Sequence, residues 1–215
     1  MGELLAIVAM IAILAALLFP VLLKAKNAAK RTACVSNLTQ IGAAFGLYMS
    51  DYDDKWPLGV DPADKFTPEI WAAYPEFQRR IPSLPFMHEV LDPYVKTADI
   101  WRCPEDQGLL IDDVSFMRLN STPSSFERFG TSYYYRTELT VRQLSGTAVK
   151  RPADINVFFD GSGAWHTSVD MLRPGDTQEQ TNRKLKRFRY NVLFGDFHAK
   201  NVSRDQYMEA WNIDP

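Results

Sequence analysis

The residues that could do chemistry in this chain are few and scattered. Cys34 and Cys103 could form a disulfide, remain buried thiols or supply half of a metal site. Neither belongs to a CxxC pair and the chain has only three histidines, which disfavours zinc. We expect the disulfide if the folded part of the chain is exported; closing a loop of roughly 70 residues would stabilise it by about 4 kcal/mol.

Two acidic groups are the remaining candidates. Asp51, Asp53 and Asp54 could ligate calcium, but an aspartate-rich turn is the commoner interpretation and the spacing of an EF-hand loop is absent. A second set, at predicted strand ends, could gather as a metal site or an acid–base pair, although such residues usually satisfy backbone groups. This second set comprises Asp160, His166, Asp196 and His198.

The sequence has no Gly-x-Ser-x-Gly, phosphate-loop or HExxH motif. We therefore predict no catalytic residue, no metal ligand and no cofactor, with calcium the one open alternative, and we do not expect an enzyme. The 215 residues, 46% apolar and 23% charged, suffice for one globular domain and an extension. A net charge of −2 gives no general attraction to nucleic acid, so no specific nucleic-acid partner is predicted.

The extension is an apolar N-terminal segment. Residues 4–23 carry no charge, and about twenty helical residues span the hydrocarbon core of a bilayer. A cleaved secretory signal would need a basic start and a shorter apolar run, whereas here only Met1 and Gly2 precede the acidic Glu3. We therefore predict that residues 1–23 lie in a membrane or in the core of a filament.

Two residues are unusual for a simple anchor. Glu3 stands at the start of the apolar run, where a carboxylate either reaches the headgroups or has a designated partner. Pro20 removes a backbone hydrogen bond, so the helix should kink or locally melt around residues 14–20, an ordinary proline kink being the alternative.

The helix is predicted to continue past the apolar run. Its second half, residues 24–54, has one apolar face and should pack on a soluble head formed by residues 55–215. We expect it to end between Asp51 and Lys55, because Trp56-Pro57 forces extended backbone. The residues of the apolar face are Cys34, Leu38, Ile41, Phe45, Tyr48 and Tyr52.

The head is predicted to be α+β. Proline-rich residues 55–130 indicate loops and short helices such as 86–96, and the polar residues 168–184 indicate a surface loop. An antiparallel sheet of three to five strands should include 133–135, 155–159, 190–194 and 197–202, with a turn at Gly195-Asp196. A helix capped by Ser203 and Gln206 should close the chain at 203–211.

The first 54 residues carry a resemblance. The run ELLAIVAMIAILAALLFPVLL, followed by C-x-S-N-L-x-Q-I-G and D-Y-D, resembles the mature N-terminus of type IV pilin-like proteins, the pilins and the pseudopilins of type II secretion. Weaker similarities occur at 91–96, at 101–104, at 152–161 and at 190–202. Glu3 lies two residues nearer the N-terminus than is usual, and Met1-Gly2 replaces the expected start with Phe.

The resemblance implies a structural subunit that waits in the inner membrane and then joins an extracellular helical homopolymer. Its partners would be further copies of the chain, a prepilin peptidase and the pilus assembly machinery. Met1 would be the methylated residue, Glu3 would pair with the N-terminal amine of a neighbouring subunit, and Pro20 would mark the stretch that unwinds in the filament.

Alternatives remain open at this point. The chain could be a pseudopilin of a type II secretion system, or the helix could merely tether a binding or enzymatic domain. The basic residues Lys24, Lys26, Lys30 and Arg31 would by the positive-inside rule stay cytoplasmic, whereas a disulfide requires an exported head. A more basic leader on a longer precursor would remove that conflict.

Overall fold

One long helix organises the whole molecule. The computed structural model describes residues 2–215, except for the side chains of residues 3–6. Helix α1 runs from Gly2 to Asp51, 50 residues or about 75 Å, and ends where the sequence indicated. The expected α+β architecture is confirmed: a long N-terminal helix and a head with an antiparallel sheet and short helices.

The head contains four strands and seven further α-helices. All neighbouring strands are antiparallel and the sheet order is β1-β2-β3-β4. The strands are β1 (Tyr133–Tyr135), β2 (Asn156–Asp160), β3 (Arg189–Phe194) and β4 (Ala199–Ser203). The helices are α2 (Pro62–Phe66), α3 (Pro75–Arg80), α4 (Met87–Leu91), α5 (Ser125–Phe129), α6 (Glu138–Val141), α7 (Gln178–Leu185) and α8 (Arg204–Trp211).

The sheet lies between two helices. On one face Phe45 of α1 contacts Phe158 of β2, with ring centroids 5.7 Å apart. On the other face Tyr207 of α8 stacks on Tyr190 of β3 at 4.1 Å. Because both faces are covered, β2 is buried along its whole length. Its three central residues, Val157, Phe158 and Phe159, therefore form an apolar run without alternation, as expected for a sheet buried on both faces.

The second half of α1 approaches the sheet closely. Leu38, Ile41 and Phe45 are 0% exposed, at the spacing of one helical face. A Cβ added at Gly42 would lie 2.9 Å from Cδ1 of Leu193 and 3.2 Å from the carbonyl oxygen of Phe197. The helix can therefore rest directly on the β3–β4 hairpin only because this position has no side chain.

Two local predictions need correction. Residues 168–184 are not all loop, because α7 begins at Gln178. The missed signal is a capping box, in which Thr177 and Gln180 each accept a hydrogen bond from the other's backbone N–H. Strand β4 begins at Ala199, two residues later than expected, because the turn extends through Phe197, which has a φ of 68°. The capped C-terminal helix is confirmed as α8.

Candidate functional site: the exposed helix and its junction with the head

The first half of α1 exposes its apolar side chains. Twelve large apolar residues between Ile7 and Leu23 are 47–66% exposed, and none of the most apolar stretch is buried. This helix is long and apolar enough to cross a membrane. Contiguous apolar surface of this extent marks a site that another molecule or a lipid phase covers. The twelve are Ile7, Val8, Met10, Ile11, Ile13, Leu14, Leu17, Leu18, Phe19, Val21, Leu22 and Leu23.

Three residues were predicted to act in assembly. Pro20 lies inside α1, which continues through it, so the local melting around residues 14–20 is not present in the single chain. Met1 lies outside the described residues, as does the side chain of Glu3. Their roles stay predictions.

A disulfide fixes α1 to the head. Cys34 and Cys103 are bonded, as the sequence predicted for an exported head, and both are buried. Among the described side chains of α1, Cys34 is the first that is buried, so the covalent link lies at the boundary between the exposed and packed halves of the helix. Close by, Nζ of Lys30 lies 3.4 Å from Oε1 of Glu105, and Nδ2 of Asn37 donates to the carbonyl oxygen of Arg102.

A buried histidine adjoins this disulfide. Nε2 of His166 lies 3.6 Å from Sγ of Cys103, 2.9 Å from Oδ2 of Asp160 and 2.8 Å from Nδ2 of Asn191. The side chains of His166 and Asp160 are 0% exposed. With the sulfurs bonded to each other and the imidazole sealed from solvent, the cluster offers neither a free thiolate nor access for a substrate. Sequence reasoning missed the contact with Cys103, because 63 residues separate the two.

The four predicted strand-end residues do not form one site. Asp160 pairs with the buried His166, whereas Asp196 pairs with the partly exposed His198 in the β3–β4 turn, with Nδ1 and Oδ1 2.6 Å apart. Burial raises the pKa of Asp196, but the hydrogen bonds from the side chain and backbone of His198 and the charge of His198 together lower it below its usual value. Within residues 2–215, the only group of three potential metal ligands within 4.8 Å is Cys34, Cys103 and His166.

Asp51 is the last residue of α1, and Asp53 and Asp54 lie in the turn that follows it. Asp51 accepts a hydrogen bond from Tyr94, and Asp54 accepts one from the backbone N–H of Thr147. Asp53 and Asp54 adopt left-handed φ values of 50° and 60°. The carboxylates of Asp51 and Asp54 thus connect this segment to the head, and the aspartate-rich turn that the sequence favoured is present.

Comparison with known proteins adds no relative. The chain matches no protein-family model, no curated protein and no solved structure.

Proposed function

We propose that this chain is the structural subunit of a type IV pilus-like filament that polymerises through the first half of α1. The observation that carries the proposal is the row of exposed apolar side chains from Ile7 to Leu23, in a helix that enters the head without a break. In the inner membrane lipid covers this surface; in the filament, the same surface of neighbouring subunits does.

The rigid junction supports polymerisation over simple tethering. A tether works with any flexible linker, whereas here the helix is continuous from Gly2 to Asp51 and is fixed to the head by the Cys34–Cys103 disulfide. The head therefore has a defined position relative to the apolar segment. A helical polymer needs this property, because each subunit must present its head in the same orientation.

The disulfide also supports an exported head. Such bonds persist in oxidising compartments and are rare in the bacterial cytosol. Export places the basic cluster near Lys24 and Arg31 on the outer side, against the positive-inside rule, unless a more basic leader directs insertion.

Glu3 sets the alignment of neighbouring subunits along the filament. A carboxylate inside a bundle of apolar helices is costly unless a cation neutralises it, and the N-terminal amine of the next subunit is such a cation. Most of the affinity between subunits then comes from the apolar side chains, and the pair formed by Glu3 and the amine fixes the position of each subunit along the filament axis.

The test compares Glu3→Gln with a matched control, Glu179→Gln, which removes an exposed carboxylate on α7. Each variant is expressed in cells that have the assembly machinery, and sheared surface fractions are examined by negative-stain microscopy. We expect Glu3→Gln to accumulate in the membrane without filaments and Glu179→Gln to form filaments like the wild type.

Normal filaments from Glu3→Gln would contradict the pairing mechanism. If the wild-type chain itself gives no filaments, and is extracted only by detergent as a monomer, the filament proposal fails and the tethered head takes its place. Restriction of the filaments to short periplasmic assemblies would instead identify a pseudopilin.

A further inference from the structure

The head contains a cavity that no residue of α1 lines. Its volume is about 280 Å³, near the lower end for pockets that bind small molecules. It lies between the α2 region, the loop at residues 112–115, one face of the sheet and the middle and end of α8. Its walls combine aromatic rings with carboxyl groups.

The cavity is acidic and has no basic side chain in its lining. Asp61, Asp64, Asp112, Asp113 and Asp160 all line it, whereas no lysine, arginine or histidine of the described chain does. Burial and the nearby charge of Asp64 raise the pKa of Asp61 well above its usual value. Asp160 has the imidazole of His166 beside it. For the other carboxyls a buried negative charge without a partner is unfavourable, so they are suited to an occupant that brings positive charge.

Two of these carboxylates each have an oxygen without a hydrogen-bond donor. Oδ2 of Asp113 accepts from Ser162, Gly163 and Tyr190, but its Oδ1 is buried without a partner within the described residues. In Asp160, Oδ2 accepts from the backbone N–H of Asn191 and lies 2.9 Å from Nε2 of His166, whereas Oδ1 has no partner there. Both residues are at least 98% buried. Firmly held acceptors of this kind match a ligand that carries N–H groups.

The arrangement does not favour a metal ion. Calcium requires six to eight oxygen ligands converging on one point. Most of the carboxylate oxygens here already accept internal hydrogen bonds; Asp64, for example, accepts from Trp71, Thr137 and the backbone N–H of Asp61. Within residues 2–215, no three carboxylates come within 4.8 Å of one another.

The aromatic rings suit an organic cation. Tyr190 and Tyr207 stack at 4.1 Å, and Trp211 meets Tyr207 edge-on at 6.3 Å. Trp71 and the exposed Tyr74 also line the cavity. Aromatic faces attract ammonium groups through the ring quadrupole and also bury an aliphatic body.

We propose that this acidic aromatic cavity binds a small aliphatic primary amine in its ammonium form. The N–H groups donate to the free oxygens of Asp113 and Asp160, and the carbon chain lies against the rings of Trp71, Tyr207 and Trp211. The site is a property of the head and stands whether or not the chain forms filaments.

The test titrates the full chain in non-ionic detergent with pentylammonium chloride and follows tryptophan fluorescence, since Trp71 and Trp211 line the cavity. The matched probe is 1-pentanol, which has the same carbon chain and no charge. We expect saturable binding of pentylammonium at least tenfold tighter than that of pentanol. Pentanol binding as tightly, or calcium displacing the amine at lower concentration, would overturn the proposal.

Two variants localise the binding. Asp113→Asn should weaken pentylammonium at least tenfold, and Tyr74→Ala, a change at a 51% exposed ring, should weaken it several-fold without unfolding the head. Tyr52→Ala is the matched control, because Tyr52 is 52% exposed and lies at the end of α1, outside this cavity. Unchanged affinity in both Asp113→Asn and Tyr74→Ala, or equal loss in Tyr52→Ala, would overturn the site.

Discussion

In most soluble proteins apolar side chains are buried and charged side chains are exposed. The exposed half of α1 departs from the first part of this rule, and the acidic cavity of the head departs from the second. Between Ile7 and Leu23 large apolar side chains face outward, whereas in the head Asp61, Asp64 and Asp113 are almost completely buried. The first region lacks apolar surroundings, and in the second these three carboxyls have no cationic side chain in the lining of the cavity. An apolar phase or a second apolar helix would cover the first region, and a cation would neutralise the second.

The largest expected effect separates the two halves of α1. Phe45→Ala should lower the free energy of unfolding of the head by roughly 3–5 kcal/mol, because Phe45 is fully buried against Trp56, Tyr135 and Phe158. Phe19→Ala is the matched control in the exposed half and should leave the head unchanged. Urea titration of the full chain in non-ionic detergent measures both, and equal effects would remove the distinction between the two halves.

A similar or slightly smaller loss of stability is expected from a change at the boundary between the two halves of α1. The double variant Cys34→Ala, Cys103→Ala should lower stability by about 4 kcal/mol on the chain-entropy model, since the disulfide closes a loop with a sequence separation of 69. Amide hydrogen exchange should accelerate first in the α1 residues around Cys34. Retention of wild-type stability and exchange would show that packing alone positions the helix.

The cavity should make stability depend on pH. Burial raises the pKa of Asp113 from 3.8 to about 7, so the fold favours its protonated form. Its contribution to stability is full below about pH 4 and is lost as the pH rises to about 7. Asp113→Asn removes this loss. The variant should gain on the order of 2 kcal/mol over the wild type at pH 8 and little at pH 4.

Thermal unfolding of the full chain at the two pH values measures this difference, with the exposed Asp170→Asn as control. Asp61 and Asp64 remain in the variant, and their raised pKa values leave a residual slope of the same sign. A variant with the same pH dependence as the wild type would mean that Asp113 is ionised at no cost, and the account of an uncompensated cavity would be wrong.

The sequence revealed one of these regions and not the other, for a physical reason. The exposed half of α1 is contiguous, so its composition alone predicts a helix that needs covering, and the stripe from Cys34 to Phe45 predicts where the head begins. The strands were predictable because Tyr133–Tyr135 and Arg189–Phe194 are rich in aromatic and β-branched residues.

The cavity could not be predicted, because its carboxylates come from segments far apart in the chain. Asp64, Asp112 and Asp160 are brought together only by packing of the loops on the sheet. The buried contact of His166 with Cys103 depends on the same tertiary arrangement. Sequence patterns describe local structure, whereas the burial of a charge is decided by residues distant in sequence.

The central claim is that copies of this chain cover the exposed half of α1. A photo-crosslinking amino acid replaces Leu14, which is 60% exposed, and a matched substitution at Glu179 on α7 serves as control. After irradiation of intact cells, sheared filaments are analysed by denaturing electrophoresis. The account predicts a ladder of covalent multimers for Leu14 and fewer for Glu179; monomers linked only to lipid at Leu14 would contradict it.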